Sequence, residues 1–246
     1  MIASIKKLFC RNVKQADKSV PHVAGHARTE PFFDCLTRLK FNPKHIVDIG
    51  ANKGNWTRTA LRFFPDANFT MFEPQKNLAS SCQDLLLNPK IQLHHLGVGP
   101  ANGLMKLTDH ERDDSFSFAL SEEEAAQQGR KQLEVPVVKL DDFLVLQGLT
   151  PPDMLKIDAE GWDLEVLKGA EFSVSRADIV LLEASVMNKF FPNKLSQVIA
   201  EMEKRGFVVF DITDFNRTAR DNALWLVELA FVKAGGLFDL NIDSYE

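Results

Sequence analysis

The stretch "VDIGANKGNWT", Val47 to Thr57, carries an aspartate inside an apolar run that ends in a glycine turn. A strand closed at Gly50 and reopened after Gly54 as a helix is a recipe for a ligand site at the carboxyl end of a parallel sheet. The spacing narrows the ligand. A dinucleotide fingerprint puts glycine where this chain has Asn52 and Asn55, and in a P-loop the lysine follows the last glycine, whereas Lys53 precedes Gly54. Asp48 would repel a phosphate at the mouth of the strand, but would attract an ammonium or accept hydrogen bonds.

Glu73, in "NFTMFEP", ends the next strand, where a carboxylate can accept from both hydroxyls of a ribose. The two carboxylates bracket a cationic or zwitterionic ligand of nucleoside size. S-adenosylmethionine meets that description with an ammonium, a carboxylate, a sulfonium and no phosphate. Each residue has a plainer alternative, Asp48 satisfying turn amides and Glu73 standing at the surface before Pro74.

A second constellation lies in "MLKIDAEGWDLEVLKGA". Asp158 ends a strand expected beside the first one, so its carboxylate would reach the crevice that Gly50 opens. Glu160 follows two residues later, and Glu183 ends the next strand, "IVLLEAS". If a ligand of that kind delivers methyl to an oxygen nucleophile, the site needs alignment of the partners and removal of a proton, by a carboxylate base or through a metal-bound alkoxide. Asp158, Glu160 and Glu183 are the candidates, and Asp158 with Glu183 would suit a hard ion such as Mg or Mn. Alternatively, Asp158 and Glu160 cap the following helix, and Glu183 pairs with Lys156 or Lys189. His94 and His95 point to opposite sides of a strand and lack metal spacing. Trp162 could stack on a sugar face or adenine, or simply pack at a helix start.

The elements that must position these groups alternate regularly. Thr29 and Pro31 open a helical pattern at Phe32, Phe33, Leu36 and Leu39; "HIVDIG", "NWTRTALRFF" and "NFTMFEP" then form a strand–helix–strand unit. A helix around "KNLASSCQDLLL" precedes a third strand, "IQLHHLGVG". Residues 100–142 read as an excursion forming an edge hairpin and lid, in which "DHERDDSFSF" could line an acceptor pocket or be a solvated loop anchored by Phe116 and Phe118. Alternation resumes with "DMLKID", "DLEVLKGAEF", "DIVLLEAS", "KLSQVIAEMEKRG", "FVVFDI" and "LWLVELAFVK". The pattern predicts an α/β fold with a largely parallel twisted sheet, its last two strands pairing antiparallel at the edge.

Together "VDIGANKGNWT", "FEP" and "MLKIDAEGWDLEVLKGA" resemble the FkbM family of S-adenosylmethionine-dependent methyltransferases, over roughly Phe32 to Lys233. The resemblance implies the seven-stranded Rossmann-like class I methyltransferase fold with helices on both faces. It also implies methylation of hydroxyl oxygens, often on sugars, glycans or polyketides. It carries cofactor binding to Asp48, Gly50, Ala51, Asn52, Gly54, Thr57, Glu73 and Pro74.

At 246 residues the chain suits one domain, expected over 29–246 behind an irregular lead-in at 1–28. A net charge of -5 offers no field for nucleic acid, so none is expected as a partner. Three scattered cysteines, no apolar run of membrane-spanning length and no signal-peptide pattern at the start lead to an expectation of a cytoplasmic protein. The reading is an O-methyltransferase for a sugar, glycan precursor or similar small molecule. Its alternatives are an N-methyltransferase and a non-catalytic interaction protein on the same fold. The sequence leaves the oligomeric state open.

Overall fold

Residues 29–109, 116–118, 120–187 and 192–242 are described in a computed structural model. Helix α1, Thr29–Arg38, leads into strand β1, His45–Ile49, helix α2, Asn55–Phe63, and strand β2, Asn68–Phe72. The single helix expected over "KNLASSCQDLLL" is a 3-10 helix, Lys76–Cys82, running into a short α3, Gln83–Leu86. The expected third strand splits as well. β3, Ile91–His94, stays in the main sheet, whereas β4, Gly97–Val98, joins a second one. The chain turns away at His95, whose Nδ1 lies 3.2 Å from the Glu73 carbonyl.

Next come β5, Gly103–Asp109, β6, Phe116–Ser117, α4, Glu122–Gln127, and β7, Gln132–Val138; with β4 they make a four-stranded sheet in the order β4-β7-β5-β6. β5 and β7 run antiparallel. Helix α4 begins with a full capping box, Ser121 and Glu124 each bonding the other's backbone N–H. Helix α5, Leu140–Gln147, follows where the sequence reading passed straight to the next strand.

The rest of the main sheet comprises β8, Met154–Ile157, β9, Ile179–Ser185, β10, Phe207–Arg217, and β11, Leu224–Lys233. Helices α6, Asp163–Lys168, α7, Glu171–Arg176, α8, Leu195–Lys204, and α9, Leu237–Asn241, complete the described chain. The stretch "DLEVLKGAEF" is two helices because the backbone must pass close at Gly169, where a Cβ would lie 2.0 Å from the Gly99 carbonyl oxygen.

The seven-stranded sheet has the order β10-β11-β9-β8-β1-β2-β3, with β11 antiparallel to both neighbours. The final pair is antiparallel as expected, but β11 enters between β9 and β10 and leaves β10 at the edge. Burial explains the exchange. β11 is buried from Leu226 to Val232 on both faces, whereas β10 is buried only at Phe207 and Thr213.

Alternate residues of β1, β8 and β9 feed two cores. Val47, Ile49, Leu155, Ile157 and Leu182 pack under α5, α6, α7 and α8. Ile46, Met154, Ile179 and Leu181 pack under α1, α2 and α9, with Phe33 edge-on to Trp56 and Phe64. Asp48 and Lys156 share the parity of the second set, as do Glu183 on β9 and its cross-strand partner Glu228 on β11, so that face carries a row of charged side chains beside its apolar ones. Among the described residues no helix is long and apolar enough to cross a membrane.

Candidate active site

The carboxyl ends of β1, β2, β8 and β9 open onto a cavity of about 360 Å³, within the size range of small-molecule sites. One end is walled by the glycine turn and β2. Gly50 takes φ +78° and donates its N–H to the Phe72 carbonyl at 2.9 Å. A Cβ there would sit 1.8 Å from the Asp158 carbonyl oxygen, so β8 presses against the turn as closely as glycine permits. Asn52 also has positive φ, +48°, and its N–H donates to Glu73 Oε2 at 2.9 Å. Glu73 Oε1 accepts from the Gln75 N–H at 2.9 Å. Burial pushes the Glu73 carboxyl up from the usual range, and those two N–H donors pull it back.

Ala51, Asn52, Glu73 and Pro74 join Gly50 in the wall. Asp48, Gly54 and Thr57 lie behind it. Asp48 is fully buried, accepts from Thr57 Oγ1 at 2.6 Å and has Lys156 Nζ at 3.7 Å. That arrangement ties the start of α2 to β1 and shapes the turn from the rear. Gly54, φ +76°, lets the chain pass Leu85 and Cys82.

The other end is acidic. Asp158, Glu160 and Glu183 all line the cavity, joined by Asp214 and Asn216 from β10. Glu160 has φ +50°, so two of the four non-glycine residues with positive φ among those described line the cavity, Asn52 at one end and Glu160 at the other. Lys156 Nζ donates to Asp158 Oδ2 at 3.0 Å. Burial, then Asp158, Glu160 and Asp163, hold the Glu183 carboxyl well above the carboxylate range, with Lys156 pulling the other way. Asp163 is fully buried and pushed up to about 7 by burial and by Asp158; its Oδ2 accepts from Asn193. On β11, directly opposite Glu183, buried Glu228 is likewise pushed up to about 7 by burial, and Thr213 Oγ1 donates to it.

Among the described residues no group of three or more His, Cys, Asp or Glu side chains is arranged to hold a metal ion. The Asp158–Glu183 ion site therefore has no support from these side chains. Lys156 bonds Asp158 and Asp48; Lys189, the other suggested partner of Glu183, lies outside the described residues. So do residues 110–115 of the suggested acceptor loop, although Phe118 reaches the cavity with Leu96, Val98 and Leu107. Trp162 packs against Phe118, ring centroids 6.2 Å apart, and His94 packs edge-on to Phe143 at 4.7 Å. Sequence reading missed Asp214, Asn216 and the central place of Lys156. For Lys156 a signal existed, a lysine inside the apolar run "MLKID".

The residues fit S-adenosylmethionine on three counts. The turn demands glycine at Gly50, a buried carboxylate closes β2 where ribose hydroxyls would meet it, and the predominantly acidic lining suits a cation better than a phosphate.

The family profile "Methyltransferase FkbM domain" matches residues 48–209. "Methyltransferase sdnD" of Sordaria araneosa is 30% identical over 224 residues, 77% of this chain and 80% of that protein. "2-O-methyltransferase NoeI" of Sinorhizobium fredii is 24% identical over 155 residues, 57% of this chain and 63% of that one. The crystal structure of a methyltransferase FkbM from Methylobacillus flagellatus KT superposes with a TM-score of 0.51 at 16% identity. It covers 76% of this chain, and this chain spans 43% of it. Asp214, Asn216 and Glu228 lie beyond the profile match.

Proposed function

The chain belongs to the FkbM methyltransferase family, and on that premise we propose that it methylates a hydroxyl of a small molecule, a sugar or glycan precursor, with S-adenosylmethionine as donor. The observation that carries this reading is one cavity lined at one end by the glycine turn, Gly50 to Asn52, with Glu73, and at the other by the carboxylates Asp158, Glu160 and Glu183. O-methyl transfer by a relative, as the name of NoeI states, supports the hydroxyl acceptor.

Bound at the glycine turn, S-adenosylmethionine supplies an electrophilic methyl group on a sulfonium leaving group. The protein must then place the acceptor oxygen in line and take its proton. The base role falls to Glu183. It lines the cavity and is partly exposed to it, and burial with its acidic neighbours raises its affinity for the proton that an alcohol must give up. Asp158, held by Lys156 at 3.0 Å, is placed to orient the acceptor. On methyl transfer the acceptor's O–H proton would pass to the Glu183 carboxylate. Leu107 and Phe118, from the region read as an edge insertion, cover the cavity's apolar side and exclude water.

Calorimetry tests the cofactor half. Saturable binding of S-adenosylmethionine and its demethylated product is expected, with no binding of NAD. Glu73→Ala should weaken either by about 1–3 kcal/mol through loss of charged hydrogen bonds to ribose. Equal affinity in wild type and variant would remove Glu73 from the site.

A further inference from the structure

Lys156 is 2% exposed, yet it lines the cavity at the junction of its two ends. In the β1–β8 register it pairs with Asp48, on the face that packs against α2, and its ammonium stands 5.8 Å from the Trp56 ring centroid. One nitrogen therefore contacts the carboxylate behind the glycine turn, Asp48 at 3.7 Å, and the one in the acceptor wall, Asp158 at 3.0 Å. Asp48 is itself locked to Thr57 at 2.6 Å, so the chain of contacts runs from α2 through β1 and β8 to the reacting end.

We propose that Lys156 is the positioning residue of this site: its buried ammonium fixes Asp158 in the cavity wall and supplies the counter-charge that lets Glu183 ionise. The inference rests on the reading of Glu183 as base. A buried ion pair is costly as a stabilising device, and a lysine here would be a poor choice if packing were its purpose. The groups surrounding Glu183 show what the counter-charge must offset. Asp158 and Glu160 face it from the end of β8 and the loop beyond, Asp163 from α6, and Glu228 from β11 directly opposite; Asp214 of β10 lines the same cavity. Like charges opposed across strands repel, so Glu183 and Glu228 cannot both ionise cheaply. In the β8–β9 register Lys156 pairs with Leu181, two residues before Glu183 on the same face, and its charge lowers the proton affinity of both Glu183 and Glu228. The other lysine in the wall, Lys53, belongs to the glycine turn.

The test is a carbon-13 NMR titration of protein labelled at the glutamate side-chain carboxyls, with the Glu183 resonance assigned by its loss in Glu183→Gln. It needs neither cofactor nor acceptor. In Lys156→Met the Glu183 midpoint should rise by about one pH unit or more, the usual effect of losing a nearby opposite charge. Lys156→Arg keeps the charge and should return the midpoint most of the way. Lys156→Gln serves in the same role if the methionine variant does not fold. An unchanged Glu183 midpoint in Lys156→Met or Lys156→Gln overturns the inference, as does an arginine variant that shifts like the neutral ones. Absence of S-adenosylmethionine binding by the wild type would instead strike the functional reading, and the titration result would stand apart from it.

Discussion

Gly50→Ala probes the closest approach in the site. Two costs add. The backbone at φ +78° lies in the left-handed region, which costs a residue bearing Cβ about 1–2 kcal/mol. The new Cβ would also fall 1.8 Å from the Asp158 carbonyl oxygen. That oxygen cannot swing aside, because the Asp158 N–H is bonded to the Ile49 carbonyl at 3.0 Å and holds the segment against β1. Relieving the overlap means parting β1 from β8, an overpacking cost of about 1–3 kcal/mol. The sum, about 2–5 kcal/mol, should appear as a lower denaturation midpoint in urea at unchanged slope. Gly54→Ala is the internal control. Its φ is nearly the same, +76°, but its Cβ would meet Leu85 Cδ1 at 2.6 Å, the far end of a flexible side chain. It should therefore lose little beyond the backbone cost. Separation of β1 from β8 should also weaken binding of S-adenosylhomocysteine more in the Gly50 variant. Equal stability losses at the two positions would refute the claim that contact with Asp158 is what requires glycine.

Two pH effects of opposite sign are expected. Asp163 rises from 3.8 to about 7 on folding, so its contribution is fully present below about pH 4 and is lost as pH rises toward 7; Asp163→Asn should gain stability at pH 8, by up to about 4 kcal/mol, and an Asn variant no more stable there would contradict the assignment. His45 is buried, with Nδ1 2.6 Å from the Thr150 carbonyl and Nε2 2.8 Å from Thr70 Oγ1, and burial holds its pKa below 6.5. The neutral ring stabilises the fold above pH 6.5, and that contribution is lost as pH falls through the depressed value. The acid-side loss should vanish in His45→Gln when denaturant midpoints are compared from pH 7 downward.

The alternation of strands and helices was legible because β1, β2, β8 and β9 are short apolar runs bounded by turn residues, and periodicity reports such runs directly. The carboxylates at their ends were legible for the same reason: a charged residue closing an apolar strand stands out. What escaped the reading depends on contacts distant in sequence. The place of β11 inside the sheet follows from packing on β9. The break between α6 and α7 follows from Gly99, some seventy residues earlier, against Gly169. Helix α5 carries a nearly continuous apolar run, "LVL", that gives no helical stripe. Asp214 and Asn216 reach the cavity only because β10 lies at the edge beyond β11, so no local pattern could assign them.

The most direct test is transfer of isotopically labelled methyl from S-adenosylmethionine to a panel of neutral sugars and glycosides, comparing wild type with Glu183→Gln across pH. The account predicts label on a hydroxyl oxygen and a rate that rises with pH until Glu183 is ionised. In Glu183→Gln the rate should fall by about 10²–10⁴, the usual worth of a positioned base, while affinity for the cofactor stays within a few-fold. Full turnover by Glu183→Gln, or label recovered on nitrogen and on no hydroxyl, would contradict it.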